Sequence, residues 1–344
     1  MALSERKEKI IQAVVDSYID SCEPVSSADI QANYLPALST ATIRNELAAL
    51  EEMGYLDQPH TSAGRVPTAD AYRLYVRKLM PHRELTVGEL DIVRKYFDKK
   101  ITEIDDVLRS TAKVISEITH LTGVAYVQNI GSAVIRSVKI VKLTETLAIV
   151  IIVTNLGVLR DSTVTISGDL PEEYYDSASG FITGAFSGHS IEEVCNPEPI
   201  IEKVKDEFRA VFDTIIEILK GYMADEDSRG IVLEGSSKLL DQPEYSNVTK
   251  AKAMLAMLES KEKLAPVLGG DVGLTINIAP DGGDNPECAV VTADITSHGV
   301  NIGKAGVIGP IRMDYSKIVS VLDYIGKTIS ELPVGRTDKN DKES

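Results

Sequence analysis

Apolar residues recur at helical spacing through the first part of the chain, and a polar cap precedes each run. Ile10, Ile11, Val14, Val15, Tyr18 and Ile19 form one face of a helix expected from a Ser4 cap to Cys22, where Glu23-Pro24 stops it. Ser26 with Asp29 makes a capping-box variant that opens a short helix to Tyr34. Ser39 caps a third helix, Thr40–Met53, in which Ile43, Leu47 and Leu50 face inward and Gly54 takes the left-handed position past the end. Its opposite face carries Thr40, Arg44, Asn45 and Ala48, with no bulky apolar group among them. Tyr55–Gln58 and Arg65–Pro67 then read as short strands around a polar tip, Pro59-His60-Thr61-Ser62-Ala63-Gly64. Three helices followed by a hairpin predict a winged helix-turn-helix.

Behind Thr68 a helix is expected over Ala69–Met80, with Arg73, Arg77 and Lys78 along its polar side. Thr86 and Glu89 box the start of another to Asp98, and a further helix spans about 102–120. From Gly123 the period falls to two. Val124–Gln128, Ser137–Leu143, Leu147–Thr154 and Val158–Ile166 are rich in β-branched residues and read as strands. Helices return behind Pro171 and Pro199. The second is expected to reach Met223, with the apolar stripe Ile201, Val204, Phe208, Val211, Ile215, Ile218 and Tyr222. By pattern alone that stripe fits a subdomain core and a subunit interface equally well. Strands resume at Gly230–Leu233, Leu274–Ile278, Glu287–Thr296 and Ala305–Arg312, around helices within Asn247–Val267, and Tyr315–Ile329 closes as a helix. Strands on both sides of a helical block predict one α/β domain carrying an insertion.

Length and charge narrow the function. A chain of 344 residues, 43% hydrophobic, suits two or three globular domains. Its longest apolar run, Leu147–Val153, is too short to span a bilayer, and Ser4–Lys9 is charged rather than signal-like, which predicts a cytoplasmic protein. The net charge is −16, of which residues 1–83 hold nine Lys/Arg and eleven Asp/Glu, or −2. Acid is therefore concentrated outside the winged-helix region, which excludes a nucleic-acid coat protein but not a reader of a few specific bases. Cys22, Cys195 and Cys288 are odd in number and far apart, and the five histidines show no ligand spacing. Gly299, Gly303, Gly306 and Gly309 lack Walker spacing and are expected to be turn residues. No nucleophile elbow or Cys/His pairing is present, so no catalytic residue, metal or cofactor is expected.

A helix offering Arg44 and Asn45 near its N-terminus suits the major groove, because Arg pairs bidentately with guanine and Asn with adenine. The spacing alone leaves an ordinary surface helix and hairpin as an even alternative. The runs Ala41–Leu47, Leu50–Leu56 and Gln58–Pro67 closely resemble the heat-inducible transcription repressors of the HrcA family, the His60–Arg65 wing most specifically. Val307–Tyr315 is similar to that family's C-terminal signature. This chain departs from the family pattern after Pro24-Val25, where Ser26 and Ala28 stand in place of Gly and a basic residue.

The resemblance implies an α+β multidomain protein with an N-terminal winged helix-turn-helix, a GAF-like α/β domain and a mainly helical inserted dimerising domain. The expected division is a DNA-binding domain at 1–83, a linker helix at 84–101, a GAF-like domain at 102–167 and 227–334, a dimerising insertion at 168–226 and a disordered tail at 335–344. Candidate DNA contacts are Ser39, Thr40, Thr42, Arg44 and Asn45 from the helix and His60, Thr61, Ser62 and Arg65 from the wing. The resemblance turns the Ile201–Tyr222 stripe toward a homodimer interface. It also implies double-stranded DNA carrying an inverted repeat of the CIRCE type upstream of chaperone operons, and a GroE-type chaperonin as modulator. The alternative is a winged-helix regulator that senses a small molecule through the GAF-like domain.

Overall fold

A computed structural model describes residues 3–60, 63–98, 104–127, 130–155, 157–166, 170–196, 206–224, 230–268, 273–278, 288–297 and 300–331. The first three helices, α1 (Glu5–Ser21), α2 (Ser27–Asn33) and α3 (Thr40–Glu52), start at the expected caps, Ser4, Ser26 and Ser39. Each cap side chain accepts a backbone N–H that the first helical turn would leave unpaired. Ile10, Ile11, Val14, Ile30, Ile43 and Leu50 are fully buried and join the three helices into one core. The hairpin is shorter than expected: β1 (Leu56–Asp57) pairs with β2 (Val66–Pro67) over two residues each. A bridge from Val25 to Arg65 adds a third edge.

The helix expected over Ala69–Met80 is interrupted. It runs as α4 (Ala69–Leu74), then widens into a π-turn, Tyr75–Leu79. Met80 is extended ahead of Pro81, which disfavours the α conformation of its predecessor. Thr68 stands at the N-cap without a capping bond. Its hydroxyl donates instead to the Gly54 carbonyl at 2.7 Å and so ties the hairpin's exit to the end of α3. Beyond the linker, α5 (Val87–Phe97) begins at the expected Thr86/Glu89 capping box, and α6 (Ile104–Thr119) follows.

Two separate sheets account for the remaining strands. β3 (Thr122–Tyr126) belongs to a five-stranded antiparallel sheet, while β4 (Ile135–Lys142), β5 (Leu147–Thr154) and β6 (Gly157–Thr165) form a three-stranded meander of their own. Helices α7 (Glu172–Phe186), α8 (Ile191–Cys195) and α9 (Arg209–Ala224) complete that second unit. The chain then returns through β7 (Val232–Glu234), α10 (Val248–Glu259), α11 (Lys261–Leu268), β8 (Thr275–Ile278), β9 (Cys288–Ser297), β10 (Val300–Pro310) and α12 (Tyr315–Ser330). The large sheet has the order β7-β3-β10-β9-β8. Helices α6 and α12 pack on one side of it, and α10 and α11 on the other. Gly306 sits inside β10, where a Cβ would lie 1.8 Å from the Val291 carbonyl oxygen; Gly303 and Gly306 are strand residues under close backbone contact, not turn residues.

The insertion expected at 168–226 therefore starts earlier. Three strands assigned to the GAF-like domain leave the main sheet right after β3, and the insertion is a sheet-plus-helix unit rather than a mainly helical one. β4 is an edge strand of the meander, and α7 covers it. Thr183 Oγ1 accepts the Val138 amide at 2.9 Å and donates to the Val138 carbonyl at 3.0 Å, and Ser179 Oγ accepts the Ile140 amide at 2.9 Å. Edge groups that would otherwise recruit a foreign strand are thereby satisfied.

Two of the residues expected at a dimer interface are spent inside the monomer. Phe208 is buried against Tyr174 and Phe181, with ring centroids 5.5 and 5.3 Å away, and Ile215 has no exposed surface. Val211, Ile218 and Tyr222 are half-buried against the same core, while Ile201 and Val204 lie outside the described residues, as does the expected disordered tail. The stripe packs inward because α7 and the meander lie on its apolar side.

Candidate nucleic-acid interface

Helix α3 is held at its start by Ser39, whose Oγ accepts the Thr42 amide at 3.1 Å and lies 2.9 Å from the Thr42 hydroxyl. These two hydroxyls are engaged in capping, so they fix the helix start and leave neighbouring Thr40 and the first-turn backbone to meet a ligand. Burial of Ile43, Leu47 and Leu50 sets the rotation of α3 about its axis and leaves Arg44, Asn45 and Ala48 exposed. Among the described residues the Arg44 and Asn45 side chains have no hydrogen-bond or ion-pair partner. Glu46, the acid next to them, is turned toward α1. It pairs with Lys7 and, at 3.5 Å, with Arg6, and the Lys7 hydrogen bond holds its carboxyl below the usual range. The exposed face of α3 thus presents donors, and the neighbouring Glu46 charge is neutralised from behind.

The wing is fastened at both ends. Gly64 passes directly against the chain before α2, where a Cβ would fall 2.3 Å from the Val25 carbonyl oxygen. Val25 and Arg65 exchange backbone hydrogen bonds of 2.9 and 2.8 Å. At the tip the His60 carbonyl accepts the Ala63 amide at 2.8 Å, and Gln58 Nε2 donates to the Ala63 carbonyl at 3.0 Å. His60 is exposed there; Thr61 and Ser62 lie outside the described residues. Gly54 closes α3 with φ +81°, the left-handed value expected of it.

Arg65, one of the expected DNA contacts, is paired within the module. Its Nε and Nη2 lie 2.9 and 2.8 Å from one Glu51 carboxylate oxygen, and only 16% of its side chain is exposed. The pair clamps the wing to the last turn of α3, so Arg65 acts on the site's shape. Other cations behave likewise: Arg73 bonds Asp70 and the Ile278 carbonyl at 2.8 Å each, and Lys78 pairs with Glu8 at 2.5 Å. Arg77 is exposed, with no ion pair among the described residues. Glu51, Lys7 and Val25 are parts of this site that the sequence reading missed. Their partners stand 14, 39 and 40 positions away, where no local spacing rule reaches.

No group of three or more His, Cys, Asp or Glu among the described residues is placed to hold a metal, and no described helix is long and apolar enough to cross a membrane. A capped helix with free Arg and Asn donors, flanked by a clamped wing and joined to an α/β body, defines a winged helix-turn-helix DNA-binding regulator. Residues 2–80 match the family described as winged helix-turn-helix transcription repressor, HrcA DNA-binding, and residues 105–319 match the HrcA protein C-terminal domain. The heat-inducible transcription repressor HrcA of Symbiobacterium thermophilum is 35% identical over 96% of this chain and 98% of its own length. That of Acetivibrio thermocellus is 34% identical over 96% of both chains. A crystal structure titled only as a hypothetical protein at 2.2 Å resolution shares the fold, with TM-score 0.63, 23% identity and coverage of 96% of this chain and 98% of that one. The chain belongs to the HrcA family of heat-inducible transcription repressors.

Proposed function

We propose that this repressor controls heat-shock chaperone operons by binding an inverted-repeat operator of the CIRCE type as a homodimer, with a GroE-type chaperonin as modulator. The observation that carries the DNA reading is the pair of partnerless, exposed donors Arg44 and Asn45, beside a Glu46 whose charge is paired back toward α1. Thr40 and the exposed His60 supply further contacts that fix the module's register on the duplex. The twofold symmetry of the operator requires a twofold protein, so both α3 helices must be held at one separation.

The homodimer forms through the uncovered face of the meander. Along β5 the side chains alternate: Ala148, Val150, Ile152 and Thr154 are buried under α7 and α9, while Leu147, Ile149, Ile151 and Val153 face outward. Val141 and Leu143 extend that outer face and are 39% and 52% exposed. A contiguous aliphatic patch of this kind on a sheet is unusual for a monomer. The occupant is a second copy, on grounds of charge. The outer row of β5 and its neighbour Val141 carry no acidic side chain in a chain of net charge −16. Two copies can meet there on aliphatic side chains rather than on the acid that makes up most of the remaining charge. A gel shift with inverted-repeat DNA and a scrambled control, at two temperatures and with and without chaperonin, tests the proposal. Equal affinity for both DNAs rejects it.

A further inference from the structure

The C-terminal signature around Arg312 touches no DNA-facing residue, yet it grips the DNA-binding module. Arg312 Nη1 donates to the Ile19 carbonyl at 2.9 Å across 293 positions of sequence. Its Nε donates to Glu244 at 2.8 Å and its Nη2 to Gln242 at 3.2 Å, and the side chain is 12% exposed. Ile19 lies in the last turn of α1, where carbonyls lack intrahelical partners and the helix end carries partial negative charge. α1 has no basic residue in its own last turn. The cation that a helix C-terminus favours is supplied by the body of the protein.

The surrounding contacts run in the same direction. Tyr72 and Tyr315 pack ring to ring, with centroids 6.0 Å apart, and both are buried. Ser316 Oγ donates to the Pro81 carbonyl at 2.7 Å and Ser320 Oγ to the Arg83 carbonyl at 2.6 Å, so α12 holds the linker that leaves the module. Arg83 in turn pairs with Glu89 at 3.0 Å. These bonds fix the module's direction, and because α1 shares its core with α3, they fix the direction of the recognition helix.

We propose that Arg312 is a positioning residue for operator binding: by capping α1 from the body, it sets the angle and separation at which two copies present Arg44 and Asn45. This rests on the dimeric reading above. It predicts that Arg312 governs tolerance to half-site spacing rather than the strength of either half-site contact.

The test measures affinities of the full chain for an inverted repeat at its best spacer, for the same repeat with one and two base pairs added or removed, and for a single half-site. The unsubstituted protein is expected to bind the best spacer at least tenfold more tightly than the two-base variants. Arg312→Gln should lose about tenfold on the best spacer, bind all spacers nearly alike, and match the unsubstituted protein on the half-site. Arg312→Lys keeps the charge at α1 but not the two-pronged grip on Glu244 and Gln242, and should fall between them. A spacer profile unchanged in Arg312→Gln overturns the proposal. So does an equal loss on half-site and full site, which marks a merely structural role. If the unsubstituted protein itself ignores spacer length, the dimeric reading fails instead. Trypsin cleavage after Arg83 separates these cases, because release of α1 should speed it severalfold in Arg312→Gln whatever the oligomeric state; unchanged cleavage counts against the proposal.

Discussion

Replacing Ile149 and Ile151 with Asp tests where the dimer forms. Both side chains stand on the outer row of β5, opposite the buried row Ala148, Val150 and Ile152, so neither takes part in the insertion's own core. The folded monomer should tolerate the change. Each substitution appears twice in a symmetric interface, and a carboxylate buried there costs several kcal/mol even after relaxation. The dimer should therefore dissociate at ordinary concentrations. Loss of the second half-site contact removes an effective-concentration gain on the order of 10²–10⁴. At about 1.4 kcal/mol per tenfold, operator binding weakens by roughly 3–6 kcal/mol, with half-site affinity unchanged. Sedimentation gives the mass and circular dichroism the fold, while titration of full and half operators gives the two affinities. The contrasting variant is Phe208→Asp. Phe208 is 5% exposed between two aromatic rings, so a charge there should unfold the insertion rather than release a soluble monomer. A folded Ile149/Ile151 double variant that remains dimeric would falsify the placement of the interface on this sheet face.

Three smaller changes address the DNA-binding module. Arg44→Ala should cost about 1–3 kcal/mol on the operator and relax preference at one base pair per half-site, measured by competition with single-base operator variants; unchanged affinity would mean that α3 does not enter the groove as placed. Arg65→Ala should weaken binding by loosening the wing but leave the salt dependence of affinity intact, because its charge already serves Glu51; a slope reduced by about one unit would make it a phosphate contact after all. Glu46 has a folded pKa below its ordinary value of 4.5, chiefly through the Lys7 hydrogen bond, so its contribution is present above 4.5 and lost as pH falls through the lowered value. Thermal melts across that acid range should show a shallower decline for Glu46→Gln than for the unsubstituted protein, and parallel curves would count against the Lys7 pairing.

Local chemistry explains which parts of the architecture the sequence made readable. Ser4, Ser26, Ser39 and Thr86 start the helices expected of them, because a cap bonds to backbone only two or three residues away. The long-range partition was not readable. β3 and β4 carry the same β-branched composition, and nothing local says that one joins β10 while the other joins β5. A clue did lie in Leu147–Val153, which is apolar at odd and even positions alike. A strand covered on one face alternates with polar residues, so this run has the pattern of a strand apolar on both faces, in keeping with the proposed interface. The stripe containing Phe208 and Ile215 misled for the converse reason: periodicity shows that a helix buries a face, not what covers it.

The placement of acid explains why so little of this protein's positive charge is available to DNA. Around α3, Glu46 takes up Lys7 and Arg6, Glu51 takes up Arg65, and Glu8 takes up Lys78. Cations that a general DNA binder would offer to phosphate are used to hold the module's own parts together. Non-specific attraction, which grows with the number of phosphates neutralised, is correspondingly small for a module of −2 attached to a body of −14. Arg44, Asn45 and Arg77 remain among the module's exposed donors, too few to hold an operator from one half-site. On the proposed dimer, affinity depends on presenting both sets of donors at once, and so on the angle proposed for Arg312 and the separation proposed for the meander. A repressor built this way would lose its operator when that geometry loosens, without any change in the residues proposed to read the bases.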